Sequence, residues 1–219
     1  MANIGKARTG VQASRDLLYE THKQLIAELS RHFNNEFKDL QTLYERESQN
    51  IKDMAEGDNE IIRSTPNAMT GVICDFQTAL QRIRELEFCS IFTFYEIGIK
   101  DIICEYIKPI KRTSLPNMMC ILQNYAKKKH KKKLMVLCSN KVLIEYYRYM
   151  RNYYAHMNFD SKDWNDLNII FENNVEPLFS TFRLSSDTIL IPNDETLLAV
   201  LDTFYVNLKD IEDELLIIK

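Results

Sequence analysis

Turn-forming residues are scarce in this chain of 219 residues, which has only five glycines and five prolines. So few turn residues over this length favour a small number of long elements, and therefore helices. Long apolar runs are also missing. The longest, from Phe88 to Ile99, is interrupted by Glu96 and Gly98 and is shorter than the ~20 apolar residues that cross a bilayer. We therefore expect an all-α protein that does not engage a membrane.

Paired cysteines are absent as well. The chain has five cysteines, an odd number, and no Cys-x-x-Cys pair. This pattern disfavours a disulfide framework and a zinc site, and it fits a reducing compartment. The first residues contain no apolar signal region. We expect a cytoplasmic protein without a metal or other cofactor.

The overall charge does not indicate a nucleic-acid partner, because the net charge is −3. The charge is unevenly placed, however, since residues 127–133 read KKKHKKK while the stretch from Asp194 to Glu214 is acidic. The basic run is open to three interpretations: a solvated stretch, a nuclear-localisation signal, or an RNA-backbone contact whose affinity falls with salt. The candidate RNA-binding residues are Lys127, Lys128, Lys129, Lys131, Lys132 and Lys133.

Apolar residues recur at helical spacing, with partial heptad character, from Ser14 to Glu56, and Ser14 is placed to cap that helix. A second long helix is predicted to begin after Pro66 and to end before Pro109, since proline fits poorly inside a helix. Its second half is apolar nearly all round and is predicted to form the core. These elements divide the chain into a packing or dimerisation extension, 1–66, and a helical domain, 67–219.

The rest of the chain predicts shorter helices and one further element. The helices are expected over Met118 to Lys128, from Ser139 or Asn140 to Met157, over Trp164 to Phe171, and from Asp194 to Leu216. Residues 182–191 alternate in polarity around a Ser-Ser-Asp turn, which favours a small β-hairpin before the last helix.

The residues most suggestive of chemistry are at 151–156, which read RNYYAH. In a helix Asn152 and His156 are four apart and lie on one face. Arg151 is five residues before His156, so the two directions around the helix axis differ by roughly 140°. The long arginine side chain can still reach towards the imidazole. Arg148 precedes Asn152 by four and lies on the same face.

These residue types suit RNA cleavage without a metal. Such a reaction needs a base for the 2′-hydroxyl, a group that stabilises the negative charge on the phosphorane, and a proton for the leaving 5′-oxygen. Histidine serves as base or acid near neutral pH. Arginine stays charged and binds phosphate oxygens through two N–H groups, while Asn152 can orient the imidazole or hold a phosphate oxygen.

The motif resembles the Arg-Asn-x-x-x-His signature of HEPN-domain proteins, at Arg151, Asn152 and His156. A second string, FYEIGIK at 94–100, is similar to an aromatic-x-Glu-Gly-x-x-Lys string in an earlier helix of many members, although its glycine comes one residue later. The resemblance covers roughly Leu80 to Leu215. It implies an all-α, HEPN-like helical bundle whose late helix carries the motif.

The resemblance also implies a function. HEPN nucleases pair two domains about a two-fold axis, so two motifs share one cleft, and the products carry a 2′,3′-cyclic phosphate and a 5′-hydroxyl. We therefore expect a homodimeric endoribonuclease acting in antiviral defence or as a toxin, with an antitoxin or regulatory protein as a further partner. Supporting roles are expected for Glu96, Lys100, Arg148 and Tyr154.

Simpler interpretations stay open for each of these residues. His156 can be a helix-end histidine favoured by the helix dipole, and Glu96 with Lys100 can form an intrahelical ion pair. Arg148 can be a salt-bridged surface residue, and the tyrosines of the motif helix can serve packing rather than base stacking. For the whole chain, the alternatives are a non-catalytic helical module that binds RNA, a nucleotide or a protein, and a purely structural helical protein.

Overall fold

The computed structural model describes residues 2–54, 59–111, 113–156, 165–166, 169 and 192–217. Over these ranges the chain is helical, with no strand, as the composition predicts. The helices are α1 (Ala2–Met54), α2 (Asn59–Tyr106), α3 (Leu115–His130), α4 (Met135–Ser139), α5 (Lys141–His156) and α6 (Asp194–Ile217). The expected β-hairpin at 182–191 lies outside the described residues. Of the helix expected over 164–171, only residues 165–166 and 169 are described, and they are helical.

Two predicted helix starts are wrong. Ser14 does not cap α1, because the helix begins at Ala2 and Ser14 lies in its interior. The second helix does not begin after Pro66. Helix α2 begins at Asn59 and continues through the proline. One proline removes a single backbone hydrogen bond, and the remaining turns of a helix of 48 residues outweigh that loss.

Helices α1 and α2 form a long antiparallel hairpin. His22 of α1 bonds to Glu87 of α2 with Nδ1 and Oε1 2.8 Å apart, and further along α1 the ring of Phe33 lies 5.6 Å from that of Phe76. The two pairs run in opposite directions along the sequence, which fixes the antiparallel order. The partial heptad spacing of α1 therefore serves this intramolecular pairing.

The second half of α2 is the centre of the core, as its apolar sequence predicts. Tyr95 is fully buried, stacks on Phe204 of α6 at 4.4 Å and donates a 2.7 Å hydrogen bond to Asn207 Oδ1. Gly98 lies directly against α6, where an added Cβ would be 2.5 Å from Leu208 Cδ1. Helices α3 and α5 also pack on α2, while α4 contacts α5 and α6.

The last helix begins where the sequence predicts. Asn193 Oδ1 accepts hydrogen bonds from the backbone N–H and the hydroxyl of Thr196, at 2.8 and 2.7 Å. This side-chain cap satisfies donors that the first turn of a helix leaves unpaired. Arg84 of α2 holds the same end through a two-point ion pair with Asp194. The cap and the ion pair together fix the start of α6 beside α2.

The helix before the lysine run is longer than expected. It begins at Leu115, with Pro116 in its first turn, and continues to His130. Lys131 ends it in a left-handed conformation, φ 54°, and its N–H bonds to the Lys127 carbonyl. The first half of the basic run is therefore helical. None of the helices that the structure describes is both long enough and apolar enough to span a bilayer.

Candidate active site

The motif lies on α5, which is fixed by a buried, tyrosine-rich face. Tyr147, Met150 and Tyr154 are fully buried, and the rings of Tyr147 and Tyr154 lie edge-on to Phe88 of α2 at 6.1 and 5.3 Å. These contacts support the packing interpretation of the tyrosines. They set the rotation of α5 and so the direction of the motif side chains.

Arg151 and Asn152 come together at the edge of this face. Both are half-buried, and Arg151 Nη1 donates to Asn152 Oδ1 at 3.2 Å. The Nε of Arg151 is buried and has no hydrogen-bond partner among the described residues. A buried donor without a partner carries a cost in free energy.

His156 is exposed and is the last residue of α5. It lies one helical turn beyond Asn152, about 6 Å along the axis. Over the ranges that the structure describes, no hydrogen bond joins its imidazole to Arg151 or Asn152. The structure thus pairs the arginine with the asparagine and presents the histidine to solvent beside them.

Three residues of α2 that the sequence reasoning did not select adjoin the motif. Arg82 Nη1 bonds to Glu85 Oε2 and donates to the Tyr154 carbonyl at 3.1 Å. Cys89 Sγ lies 3.7 Å from the Arg151 carbonyl, which accepts from the thiol. The spacing of residues 82, 85 and 89 places them on one face of α2, and this spacing is the feature by which the sequence could have grouped them. Only the packing of α2 on α5 shows that this face meets the motif.

The pKa of Cys89 reports on the charges around it. Burial raises the pKa of this thiol, while the guanidinium groups of Arg151 and Arg82 partly oppose that rise. The two cations are therefore close enough to act on one sulfur atom, and Glu85 adds a carboxylate. At the carboxyl end of α5 the site combines the Arg151 guanidinium, an Arg82 guanidinium that is paired with Glu85, one amide and one exposed imidazole.

Glu96 and Lys100 on α2 and Tyr154 on α5 are three of the residues that were expected to support the motif. Tyr154 is buried, and its backbone carbonyl rather than its ring connects it to Arg82. Glu96 is half-buried and Lys100 exposed, and among the described residues no ion pair joins them. Because Glu96 lies seven residues beyond Cys89 on α2, about 10 Å along the axis, the pair is displaced from the motif.

Arg148 is engaged locally. Its Nη2 bonds to Glu145 Oε1 at 2.7 Å, and its guanidinium lies over the Tyr149 ring at 4.7 Å. It lines a groove with Lys127 and Lys133, and the described lining does not include the motif. The six candidate lysines are exposed. The structure thus brings part of the lysine run to Arg148 rather than to the motif.

Comparison with known proteins gives no identification. No protein-family model matches the sequence, no curated protein is similar enough to match, and no solved structure matches the fold. Within the described part of the chain, no group of three His, Cys, Asp or Glu side chains is arranged as metal ligands. The site's own residues are therefore the ground for assigning a function.

Proposed function

We propose that the chain is a metal-independent endoribonuclease of the HEPN type. The observation that carries the proposal is the contact between Arg151 and Asn152 beside an exposed His156 at the end of α5. A guanidinium held by a neighbouring amide is preorganised to receive a phosphate, and preorganised charge is usually the largest catalytic term. The resemblance of Arg151, Asn152 and His156 to the HEPN signature supports the same reaction.

In the proposed reaction the 2′-oxygen of a ribose attacks the adjacent phosphorus, and the bond from phosphorus to the 5′-oxygen breaks. A neutral imidazole accepts the proton of the 2′-hydroxyl, and an imidazolium donates a proton to the leaving 5′-oxygen. Arg151 stabilises the negative charge on the phosphorane oxygens. The products are a 2′,3′-cyclic phosphate and a 5′-hydroxyl, and water restores the two protonation states.

The two proton transfers require a second histidine, which a second copy of the chain supplies in this proposal. His156 is suited to that arrangement because it is exposed at a helix end, where another subunit can approach. The active species is therefore a homodimer in which two α5 ends share one basic cleft. Its setting in antiviral defence or as a cytoplasmic toxin with an antitoxin partner follows from the family resemblance alone.

The test is incubation of the purified protein with RNA in the presence of EDTA. Cleavage is expected to persist in chelator and to give 5′ ends that polynucleotide kinase labels without prior phosphatase treatment. His156→Ala should abolish it, whereas His32→Ala, which removes another exposed histidine, should cleave as the parent does. Absence of cleavage by the parent protein, or equal activity of His156→Ala, would overturn the proposal.

A second candidate is a non-catalytic helical module that binds RNA, a nucleotide or a partner protein. The observation that favours it is the α1–α2 hairpin, which exposes large apolar side chains such as Leu43 and Val72. A protein partner would remove these apolar side chains from water, which is favourable. Binding that His156→Ala leaves unchanged, without any cleavage, would select this candidate over the first.

A further inference from the structure

A groove of about 400 Å³ lies between α3, α4 and α5. Its volume falls within the range of small-molecule sites, which are mostly apolar with a few placed polar groups. The floor is aliphatic and sulfur-containing, and its members are Leu115, Met119, Leu137 and Ile144. Leu115, Leu137 and Ile144 are nearly inaccessible to solvent, so the groove is floored by core side chains.

The rim of the groove is cationic. Lys127 at the end of α3, Lys133 before α4 and Lys141 at the start of α5 are all exposed and line it. Arg148 and Glu145 are also on the rim, but they neutralise each other through their 2.7 Å ion pair. Three lysines therefore line the groove, and Glu145, the carboxylate in its described lining, is already paired with Arg148.

The side chain of Gln123 helps to hold the wall between α3 and α4 in place. Gln123 donates to the Leu134 carbonyl at 2.8 Å and accepts from the Leu134 N–H at 3.2 Å. This pair of bonds fixes the chain at the point where it turns from the lysine run into α4. Because the wall is already fixed, less conformational entropy is lost when a ligand binds. The groove is therefore preorganised for a ligand.

The floor also selects the kind of apolar group. The described lining contains no aromatic ring, and aromatic rings are the usual platforms for nucleobases. Leucine, isoleucine and methionine side chains instead match an aliphatic chain, because each methylene that the chain buries adds to the favourable transfer out of water. The basic rim adds a place for an anionic head.

We propose that this groove binds a single-chain anionic amphiphile. Its alkyl chain lies on the aliphatic floor, and its carboxylate or phosphate head lies among Lys127, Lys133 and Lys141. The proposal does not depend on ribonuclease activity, because the described lining of the groove does not include Arg151, Asn152 or His156. It assigns a ligand site to α3–α5 that is separate from the motif.

Calorimetric titration with dodecanoate and with monododecyl phosphate, each below its micelle concentration, tests the proposal. Both should bind saturably, whereas butanoate and dodecyltrimethylammonium should bind at least tenfold more weakly. Lys133→Glu with Lys141→Glu should weaken both anions at least tenfold. Lys38→Glu with Lys52→Glu makes the same charge change at exposed positions of α1 and should have no effect.

Two native thiols locate the ligand without any substitution. Cys120 and Cys138 line the groove and are exposed, and Cys74 is exposed on α2 outside its described lining. Bound dodecanoate should slow alkylation of Cys120 and Cys138 but leave Cys74 unchanged.

Several results would overturn the proposal. They are equal protection of all three cysteines, equal binding of the cationic amphiphile, binding unchanged by the two rim substitutions, and no saturable binding of either anion. Protection of Cys120 and Cys138 by adenosine monophosphate or by an acidic helical peptide, with none by dodecanoate, would assign the groove to another ligand class and reject this one.

Discussion

Arg82 of α2 donates a hydrogen bond from Nη1 to the backbone carbonyl of Tyr154, at 3.1 Å, and so ties α2 to the last turn of α5. The last four carbonyls of a helix lack partners within the helix, and Tyr154 is the third residue from the end of α5. A cation there also interacts favourably with the helix dipole. Through this bond Arg82 positions the turn that carries His156.

Arg82→Met should therefore impair catalysis without preventing RNA binding. Under the proposed function we expect kcat to fall about tenfold or more while KM changes little, because the last turn of α5 loses its anchor. Arg84→Met is the matched control, since Arg84 is on the same helix and is paired with Asp194 instead. The measurement is steady-state kinetics at a temperature at which both variants are folded. An equal loss of kcat in Arg82→Met and Arg84→Met would contradict a positioning role for Arg82.

Arg151→Lys should lower RNA cleavage about 100-fold or more, although the charge is kept. A lysine cannot present two parallel N–H groups to phosphate, and its shorter reach loses the 3.2 Å bond to Asn152. Single-turnover cleavage in EDTA measures the effect. The control is Lys23→Arg on α1, which exchanges the same two residue types in the reverse direction and away from the motif. Unchanged cleavage by Arg151→Lys would remove Arg151 from the site.

Gly98→Ala should destabilise the protein by about 1–3 kcal/mol, because the new methyl group overpacks the contact with α6. Its Cβ would lie 2.5 Å from Leu208 Cδ1 and 3.2 Å from Cγ, so the whole isobutyl group must move. Gly71→Ala on the same helix meets no atom within 4 Å and should instead stabilise by about 0.5–1 kcal/mol. In urea unfolding followed by circular dichroism, the free energy of unfolding should fall for Gly98→Ala and rise for Gly71→Ala.

Arg15→Met should destabilise the protein by about 3–5 kcal/mol, since it leaves a buried carboxylate without its cation. Arg15 Nη1 is 2.8 Å from Glu212 Oε2, and the two side chains are 7% and 1% exposed. The double variant Arg15→Met with Glu212→Leu should recover much of that loss, because both charges are gone. Arg46→Met at an exposed site should stay within about 0.5 kcal/mol of the parent in the same urea titration.

Cys89 should be the slowest of the cysteines to react with iodoacetamide near neutral pH. Burial raises the pKa of its thiol, so less reactive thiolate is present than at exposed Cys74, and its reaction should begin at higher pH. Arg151→Met should shift that onset to still higher pH, because the guanidinium lowers the pKa. Mass spectrometry of labelled peptides reads out both effects, and an unshifted Cys89 profile in Arg151→Met would place the guanidinium elsewhere.

The sequence indicated several local features because short-range physics controls them. The start of the last helix at Asp194 and the apolar second half of α2 depend on neighbouring residues and periodicity, and the structure confirms both. Short-range rules gave the wrong start for α2, since a proline signals a boundary locally while the helix continues through Pro66.

By itself, then, the sequence determined helix content, the core face of α2 and the spacing of Arg151, Asn152 and His156. Tertiary structure decided what surrounds that spacing: Arg82 and Cys89 adjoin the motif, whereas Lys127 and Arg148 face a separate groove. The physical reason is that periodicity fixes which face a residue occupies. Which two faces meet depends on how all the helices pack around the shared core, and no single segment encodes that.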